Sequence, residues 1–264
     1  MTKFCFIFLI LILLLSGCEK VVNVDLNVAD PAVVIEGNVD AVNRLAEVKI
    51  SKTSSYFDQS ESEKVSGADV WITINDLESY QLEEIQNGIY SFEEIPVKTG
   101  ATYRLMVTSN SKIFEGTSVL QPKIKIDTLL SYYDDSYSFF DDNYVVSVYF
   151  DDPPNVDNYY RIKVYVNGEL RNKADDFVLF SDRYFDGRRV WIDLQNFDFN
   201  PDDTVDVQLI SLDEKIYDFY NTFIDLLRNN PGSAAPANPN TNLSNGALGY
   251  FSAWTSDKKR IIIK

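Results

Sequence analysis

Residues 159–166 of the chain read YYRIKVYV, and Asn167-Gly168 follows directly. Apolar and polar side chains alternate through this run, which is the period of a strand with one buried face. Asn-Gly is the dipeptide that two-residue hairpin turns favour. The stretch therefore predicts a half-buried β-strand that ends at a tight turn.

The same pattern recurs along the chain, in short runs rich in β-branched and aromatic residues. These runs cover residues 22–28, 33–39, 48–51, 70–74, 103–107, 144–150, 205–209 and 260–263. Further turns are indicated at Asn87-Gly88, Asp186-Gly187 and Pro153-Pro154. Strands at this spacing, mostly without intervening helices, predict a mainly β protein built of two antiparallel β-sandwich domains, immunoglobulin-like or transthyretin-like.

One helix is predicted over residues 213–228. Its apolar side chains form a single stripe that fits docking onto a sheet, and a ligand groove lined by the aromatic stripe is the alternative: Ile216, Phe219, Tyr220, Phe223 and Leu227. Ser211 and Glu214 have the spacing of a capping box at its start. Residues 229–247 are rich in Asn, Pro, Ser, Ala and Gly and predict a loop after the helix.

The N-terminus carries the signature of a secreted lipoprotein. Residues 4–15 are apolar, too few to span a bilayer as a helix, and fit the core of a signal peptide over residues 1–17. Leu15, Ser16, Gly17 and Cys18 resemble a bacterial lipobox, which implies cleavage before Cys18 and lipid attachment to its thiol. A plain signal peptide or a short buried strand is the alternative.

The chain contains two cysteines, Cys5 and Cys18. Cys5 would leave with the signal peptide and Cys18 would carry lipid, so the mature chain would have neither a free thiol nor a disulfide. Its stability would then rest on core packing.

The length of 264 residues corresponds to one large or two small domains at ~150 residues each. We place the boundary near Pro122, which gives an N-terminal sandwich over residues 18–122 and a C-terminal sandwich over residues 123–264. Residues 67–74, 87–90 and 100–105 resemble a transthyretin-like or carboxypeptidase-regulatory-like module.

The charge and the missing histidine exclude several function classes. The net charge is −16, so binding to nucleic acid, which needs clustered cations, is not expected. The chain has no histidine, which removes Ser-His-Asp and Cys-His catalysis and most zinc sites. We therefore expect a protein that is not an enzyme.

Acidic side chains cluster in five doublets, Asp134-Asp135, Asp141-Asp142, Asp151-Asp152, Asp175-Asp176 and Asp202-Asp203. Asp198, Asn200, Asp202 and Asp206 offer oxygen atoms at alternate positions, a weak candidate for a calcium site and the one cofactor considered. Pro201, the lack of a glycine at the sixth position and Leu209 in place of a glutamate all depart from an EF-hand loop. A polar turn that leads into the strand from Val205 is the alternative.

Motifs in a conserved order along the chain resemble one family of lipoproteins, the domain of unknown function 4249 family. They lie at residues 18–22, 25–26, 31, 33–38, 48–51, 56–57, 65–70, 217–220 and 246–251. The resemblance implies an outer-membrane lipoprotein of a Gram-negative cell, whose gene often lies beside that of a TonB-dependent receptor. The resemblance implies no catalytic residues. In the last motif, we expect Gly249 to let residues 250–251 enter a strand packed closely on the helix.

Two functions are compatible with these observations. In the first, the protein is a lipid-anchored, non-enzymatic accessory or substrate-binding partner of a TonB-dependent transporter, at the periplasmic or cell-surface face of the outer membrane. In the second, it is a stand-alone surface adhesin, or a glycan or peptide hydrolase that works through paired carboxylates.

Overall fold

The computed structural model describes residues 31–54, 62–134, 143–228 and 238–264. The predicted signal peptide, Cys18 and the predicted strand over residues 22–28 lie outside these ranges, as do residues 229–237 of the predicted loop. Sixteen strands are described: β1 Val33–Asp40, β2 Leu45–Lys52, β3 Asp69–Ile74, β4 Glu78–Gln81, β5 Glu83–Gln86, β6 Ile89–Glu93, β7 Thr102–Ser109, β8 Lys112–Val119, β9 Ile126–Asp134, β10 Asn143–Asp151, β11 Tyr159–Val166, β12 Glu169–Leu170, β13 Val178–Ser181, β14 Arg189–Asp193, β15 Thr204–Leu212 and β16 Leu248–Ile262. The mainly β class is confirmed, and each predicted run within the described ranges lies in a strand or overlaps one.

The strands form three sheets. The largest has nine strands in the order β12-β11-β15-β16-β1-β2-β6-β5, with β13 also paired to β11. A four-stranded sheet has the order β4-β3-β7-β8, and a three-stranded sheet the order β14-β10-β9. The two smaller sheets pack against one face of the large sheet, because alternate residues of its strands are apolar and point to that side.

Each smaller sheet shares its own hydrophobic core with the large sheet. The first core contains Ile35, Val48, Ile72 and Leu105, all fully buried, and the second contains Phe150, Tyr160, Ile162 and Val207. Burial of side chains of this size stabilises the fold by about 1.5–3 kcal/mol each. A third, smaller cluster contains Ile210, Leu212 and Ile216 and adds to the stabilisation by these two cores.

The predicted boundary near Pro122 coincides with the change from one core to the other. Leu120 belongs to the first core and Ile124 to the second. The large sheet nevertheless continues across this boundary, since β16 pairs with β1 on one side and with β15 on the other. Residues Pro31–Lys264 group as one compact unit.

One pairing departs from the antiparallel arrangement: β1 and β16 run parallel, with Ile35 opposite Gly249. Gly249 has φ +92°, and a Cβ placed there would lie 2.1 Å from the carbonyl oxygen of Ile35. The close approach that we expected at Gly249 is thus to the backbone of β1 and not to the helix. Tyr250, the next residue, does contact the helix, with its ring centroid 4.8 Å from that of Phe219.

The predicted helix is present as α1, Glu214–Leu227. The predicted capping box was wrong: Asp213 is the N-cap residue, and its Oδ1 accepts the backbone N–H of Ile216 at 3.0 Å. Asp213 Oδ2 accepts the backbone N–H of Val119 at 2.9 Å and the hydroxyl of Ser118, which ties the helix start to β8. Within the described residues, none of the helices is both long and apolar enough to span a bilayer.

Candidate ligand-binding site

The face of the large sheet that points away from the two cores carries polar and aromatic side chains. Arg161 on β11 lies opposite Ile210 on β15, and Trp254 on β16 lies opposite Asp40 on β1. These residues occupy the alternate positions of strands whose other positions are buried in the cores. The alternation that builds the sandwich therefore also assembles this second surface.

A cavity of about 270 Å³ opens on this face where α1 covers part of the sheet. Strands β1, β2, β11, β15 and β16 and helix α1 all contribute to its wall. The lining residues are Asn38, Asp40, Leu45, Glu47, Arg161, Lys163, Ile210, Leu212, Tyr220, Tyr250, Ser252 and Trp254. Its volume is close to the lower end of the range of small-molecule sites, ~300–1,000 Å³.

Arg161 is the most unusual residue of this cavity, because its charge is buried. The residue is 8% exposed, and its guanidinium carbon lies 4.7 Å from the ring centroid of Phe177 and 4.3 Å from that of Tyr220. Its buried Nε has no hydrogen-bond partner. No ion pair of the described residues includes Arg161. A buried cation without an acidic partner is costly for a protein and calls for a functional explanation.

Lys163 lies two residues further along β11 on the same face and is half-buried. Burial, reinforced by the charge of Arg161, lowers the pKa of Lys163 to about 8, although Asp40 acts in the opposite direction. Its ammonium nitrogen lies 5.9 Å from the ring centroid of Trp254. Among the described residues it forms no ion pair.

The two acidic residues of the cavity already have other partners. Asp40 accepts the backbone N–H groups of Val42 and Asn43 at 2.8 and 3.1 Å, and so closes the turn after β1. Glu47 forms an ion pair with Lys49 at 3.1 Å. Two acidic and two basic residues therefore line the cavity, and Asp40 keeps its negative charge because the N–H groups bonded to it are neutral.

Three aromatic side chains complete the wall. The indole N–H of Trp254 donates to Asn38 Oδ1 at 3.3 Å, and the amide nitrogen of Asn38 donates to the hydroxyl of Tyr250 at 3.4 Å. The Tyr250 ring lies 5.6 Å from that of Tyr220, whose pKa burial raises well above its usual value. This chain of contacts holds the rings in place, so the cavity presents fixed aromatic faces beside its two cations.

A second cluster lies elsewhere, around Asp152, Asp182 and Asp186, whose carboxylate oxygens come within 4.8 Å of one another. Asp152 accepts the hydroxyl of Tyr160 at 2.5 Å, and Asp182 accepts the backbone N–H of Asn158 at 2.9 Å. Burial and the neighbouring carboxylates raise the pKa of Asp182.

Within the described ranges this is the one group of acidic side chains close enough together to hold a metal ion. The side-chain oxygen of Asn158 is buried there without a hydrogen-bond partner. Carboxylate and amide oxygens are the ligand types that calcium takes. In the sequence, Asp152 appeared only as part of the doublet Asp151-Asp152, and the structure shows that it is buried, with 5% of its surface exposed.

The residues predicted for calcium lie apart from this cluster. Asp198, Asn200 and Asp202 are exposed near the turn before β15, where Asp203 accepts the backbone N–H of Asn200 at 2.8 Å. Asp206 lies within β15 and receives two hydrogen bonds from Arg260, at 2.7 and 2.8 Å.

These hydrogen bonds from Arg260, opposed in part by burial, lower the pKa of Asp206 to about 2. The carboxylate of Asp206 is therefore engaged by a cation of the protein itself. Calcium binding by Asp198, Asn200, Asp202 and Asp206 stays a prediction.

Sequence reasoning missed the cavity, although one signal was visible. Arg161 and Lys163 occupy two successive outward positions of a single strand in an acidic chain, and we had read them only as the polar half of the alternation. Their burial depends on α1 and on Phe177, which are distant in sequence. No local sequence pattern predicts these contacts.

The fold and this cavity define a β-sandwich protein with a partly open site, lined by charged and aromatic residues, on one face of its large sheet. A scan against protein-family models matches residues 19–260 to DUF4249, a domain of unknown function. The chain belongs to this family, as the motifs in its sequence predicted. A search of the curated proteins finds no match.

Proposed function

We propose that the protein is a non-enzymatic binding protein, anchored by lipid to the outer membrane of a Gram-negative cell, that serves a TonB-dependent transporter as an accessory or substrate-binding partner. The observation that carries the binding function is the cavity lined by Arg161, a buried cation without an ion pair among the described residues, together with Lys163 and aromatic rings. Groups of this kind suit holding a solute.

The anchoring part rests on the sequence before the described residues. Leu15, Ser16, Gly17 and Cys18 have the order of a lipobox. Each buried methylene of an attached acyl chain stabilises membrane binding by ~0.8 kcal/mol, so more than one chain makes attachment permanent in practice. A protein tethered in this way stays beside membrane partners without needing a basic surface.

Metabolic labelling with radioactive palmitate tests the anchor. We expect the wild-type chain to take up label and to partition with membranes. Cys18→Ala should abolish the label and release the protein from the membrane fraction. Cys5→Ala is the matched control, because Cys5 lies within the predicted signal peptide and its loss should leave labelling intact. If the Cys18→Ala variant took up as much label as the wild type, the proposed lipid attachment to Cys18 would be wrong.

Capture of the full-length lipoprotein from gently solubilised membranes tests the partnership. We expect a large β-barrel receptor to copurify in a fixed ratio. A lipoprotein that elutes alone and monomeric under conditions that preserve other outer-membrane complexes would contradict the partnership.

A carboxylate-based hydrolase is the second candidate, and one observation favours it. Asp152, Asp182 and Asp186 lie together, and the raised pKa of Asp182 is the property that a general acid needs. Asp152 and Asp182 are each 5% exposed, which restricts access by a substrate. Turnover of a polysaccharide or peptide that Asp182→Asn abolishes would establish this function, and no turnover across a broad panel would remove it.

A further inference from the structure

We infer that the cavity around Arg161 binds a small organic anion, a ring-containing compound that carries a carboxylate or phosphate group. This inference rests on the proposed binding function and specifies its ligand class. The anionic group would be recognised by Arg161 and Lys163, and the ring would lie against Trp254 and Tyr250.

The first step of the argument is the balance of charge inside the cavity. Asp40 closes the turn after β1 and Glu47 pairs with Lys49, and within the described residues neither forms an ion pair with Arg161. Asp40 acts on the charge of Lys163, whereas the buried charge of Arg161 has no acidic partner among the described residues. An anion supplied by a ligand would relieve the cost of burying the charge of Arg161.

The second step is the position of the guanidinium. Its carbon lies 4.7 Å from the ring centroid of Phe177 and 4.3 Å from that of Tyr220, so two aromatic rings hold Arg161 in place. Arg161 lines the cavity, and its buried Nε has no acceptor. An edge with parallel N–H groups matches the two oxygens of a carboxylate or phosphate.

The third step concerns the rest of the ligand. Trp254 and Tyr250 are half-buried, and their polar atoms are already bonded to Asn38, so the rings remain available for contact. Aromatic faces of this kind bind flat or ring-shaped groups. A volume of about 270 Å³ admits one small ring and its anionic group, but not a polymer segment.

Isothermal titration of the mature, detergent-solubilised lipoprotein with paired probes tests this inference. The anionic probes are galacturonate, benzoate and glucose 6-phosphate, and their neutral counterparts are galactose, benzamide and glucose. We expect at least one anion to bind tenfold or more tightly than its neutral counterpart. We expect Arg161→Gln and Lys163→Gln each to weaken its binding by about 10–100-fold, since each removes a charged hydrogen-bonding group.

Lys258→Gln is the matched control. Lys258 is a cation on the same face of β16, outside the cavity, and its partner Asp206 keeps the bonds from Arg260. Its loss should leave anion binding unchanged. Because Arg161 packs against two rings, near-ultraviolet circular dichroism must show a folded Arg161→Gln protein, and Lys163→Gln provides the independent test if it does not.

Three results would overturn the inference: equal binding of neutral and anionic probes, unchanged anion binding in the folded Lys163→Gln variant, or no binding of any anionic probe at 10 mM. Binding of neutral probes alone would reject the ligand class and leave the proposed binding function standing. Failure of the proposed partnership would be recognised separately, by a lipoprotein that binds anions but copurifies with no receptor.

Discussion

Lys163 shows how a single residue can link binding to pH. Burial and the charge of Arg161 lower the pKa of Lys163 to about 8, so the ammonium form dominates at pH 7 and the neutral form at pH 9.5. The other ionisable groups that line the cavity are Asp40 on β1, Glu47 on β2, Arg161 on β11, Tyr220 on α1 and Tyr250 on β16.

We therefore expect the affinity for an anionic probe such as galacturonate to fall as the pH rises from 7 to 9.5. The stability of the free protein should change in the opposite direction, because a lowered pKa means that the unfolded chain binds the extra proton more readily over this range. Titration calorimetry and thermal melts at several pH values measure the two effects. A flat binding profile in the wild type, or the same fall in Lys163→Gln, would argue against this role.

Gly249 is the residue on which the parallel pairing of β1 and β16 depends. Alanine there would place a Cβ 2.1 Å from the carbonyl oxygen of Ile35, a backbone atom that has little freedom to move. We expect Gly249→Ala to destabilise the protein by more than about 3 kcal/mol, a loss of roughly 6–12 °C in the melting temperature.

Gly246→Ala is the control for this prediction. Gly246 also has a positive φ, +74°, but a Cβ there would meet nothing within 4 Å. Only the backbone strain of about 1–2 kcal/mol should then appear. Similar melting temperatures for the two variants would show that the contact with Ile35 is not responsible.

At the scale of elements, Asp213 joins the helix to the sheets. One carboxylate oxygen caps α1, and the other accepts bonds from Ser118 and Val119 on β8. Asp213→Ala leaves buried donors without an acceptor, so we expect a loss of about 2–4 kcal/mol, more than a simple N-cap contributes.

Thermal denaturation measures the loss, and Glu214→Ala, which changes the neighbouring exposed residue, should cost under about 1 kcal/mol. Because Tyr220 on α1 lies against Arg161, Asp213→Ala should also weaken anion binding. Intact stability in Asp213→Ala would mean that other contacts hold the helix.

The elements also show where sequence patterns stop being informative. The alternation in β1, β3, β7, β11 and β15 predicted these strands, because one face of each is buried in a core. The pattern failed for the middle of β16, because only its entry at residues 250–251 and its end at residues 260–263 were predicted as strand. Residues 252–258 of β16 read SAWTSDK, and they cross the seam between the two cores, where Asp257 accepts the backbone N–H of Ile126 at 3.0 Å. In this part of β16, polar side chains lie on the face toward the cores as well as on the face toward the cavity. The alternation of apolar and polar residues by which a strand is recognised in a sequence is therefore missing.

At the scale of the whole molecule, β16 belongs to both halves. It contributes Phe251 and Ala253 to the first core and pairs along β15 beside the second. We expect the two halves to unfold together, because loss of β16 from either side removes a central strand of the large sheet.

Tryptophan fluorescence can follow each half separately. Trp71 lies on β3 in the first half and Trp191 on β14 in the second. Two variants that each keep one of these residues, with the other tryptophans changed to phenylalanine, should melt at the same temperature. Midpoints more than about 5 °C apart would instead show two independently folding domains divided near Pro122.

The sequence by itself determined the sheet-forming class, the position of α1 and membership of the family, since periodicity and motif order are local properties of the chain. The sequence also predicts a lipid anchor at Cys18. Only the tertiary structure decided that the two halves share one sheet, that Asp152 is buried and that Arg161 packs against Phe177 and Tyr220. These features arise where residues distant in the chain meet, and the energy of a buried charge depends on those neighbours rather than on its own segment.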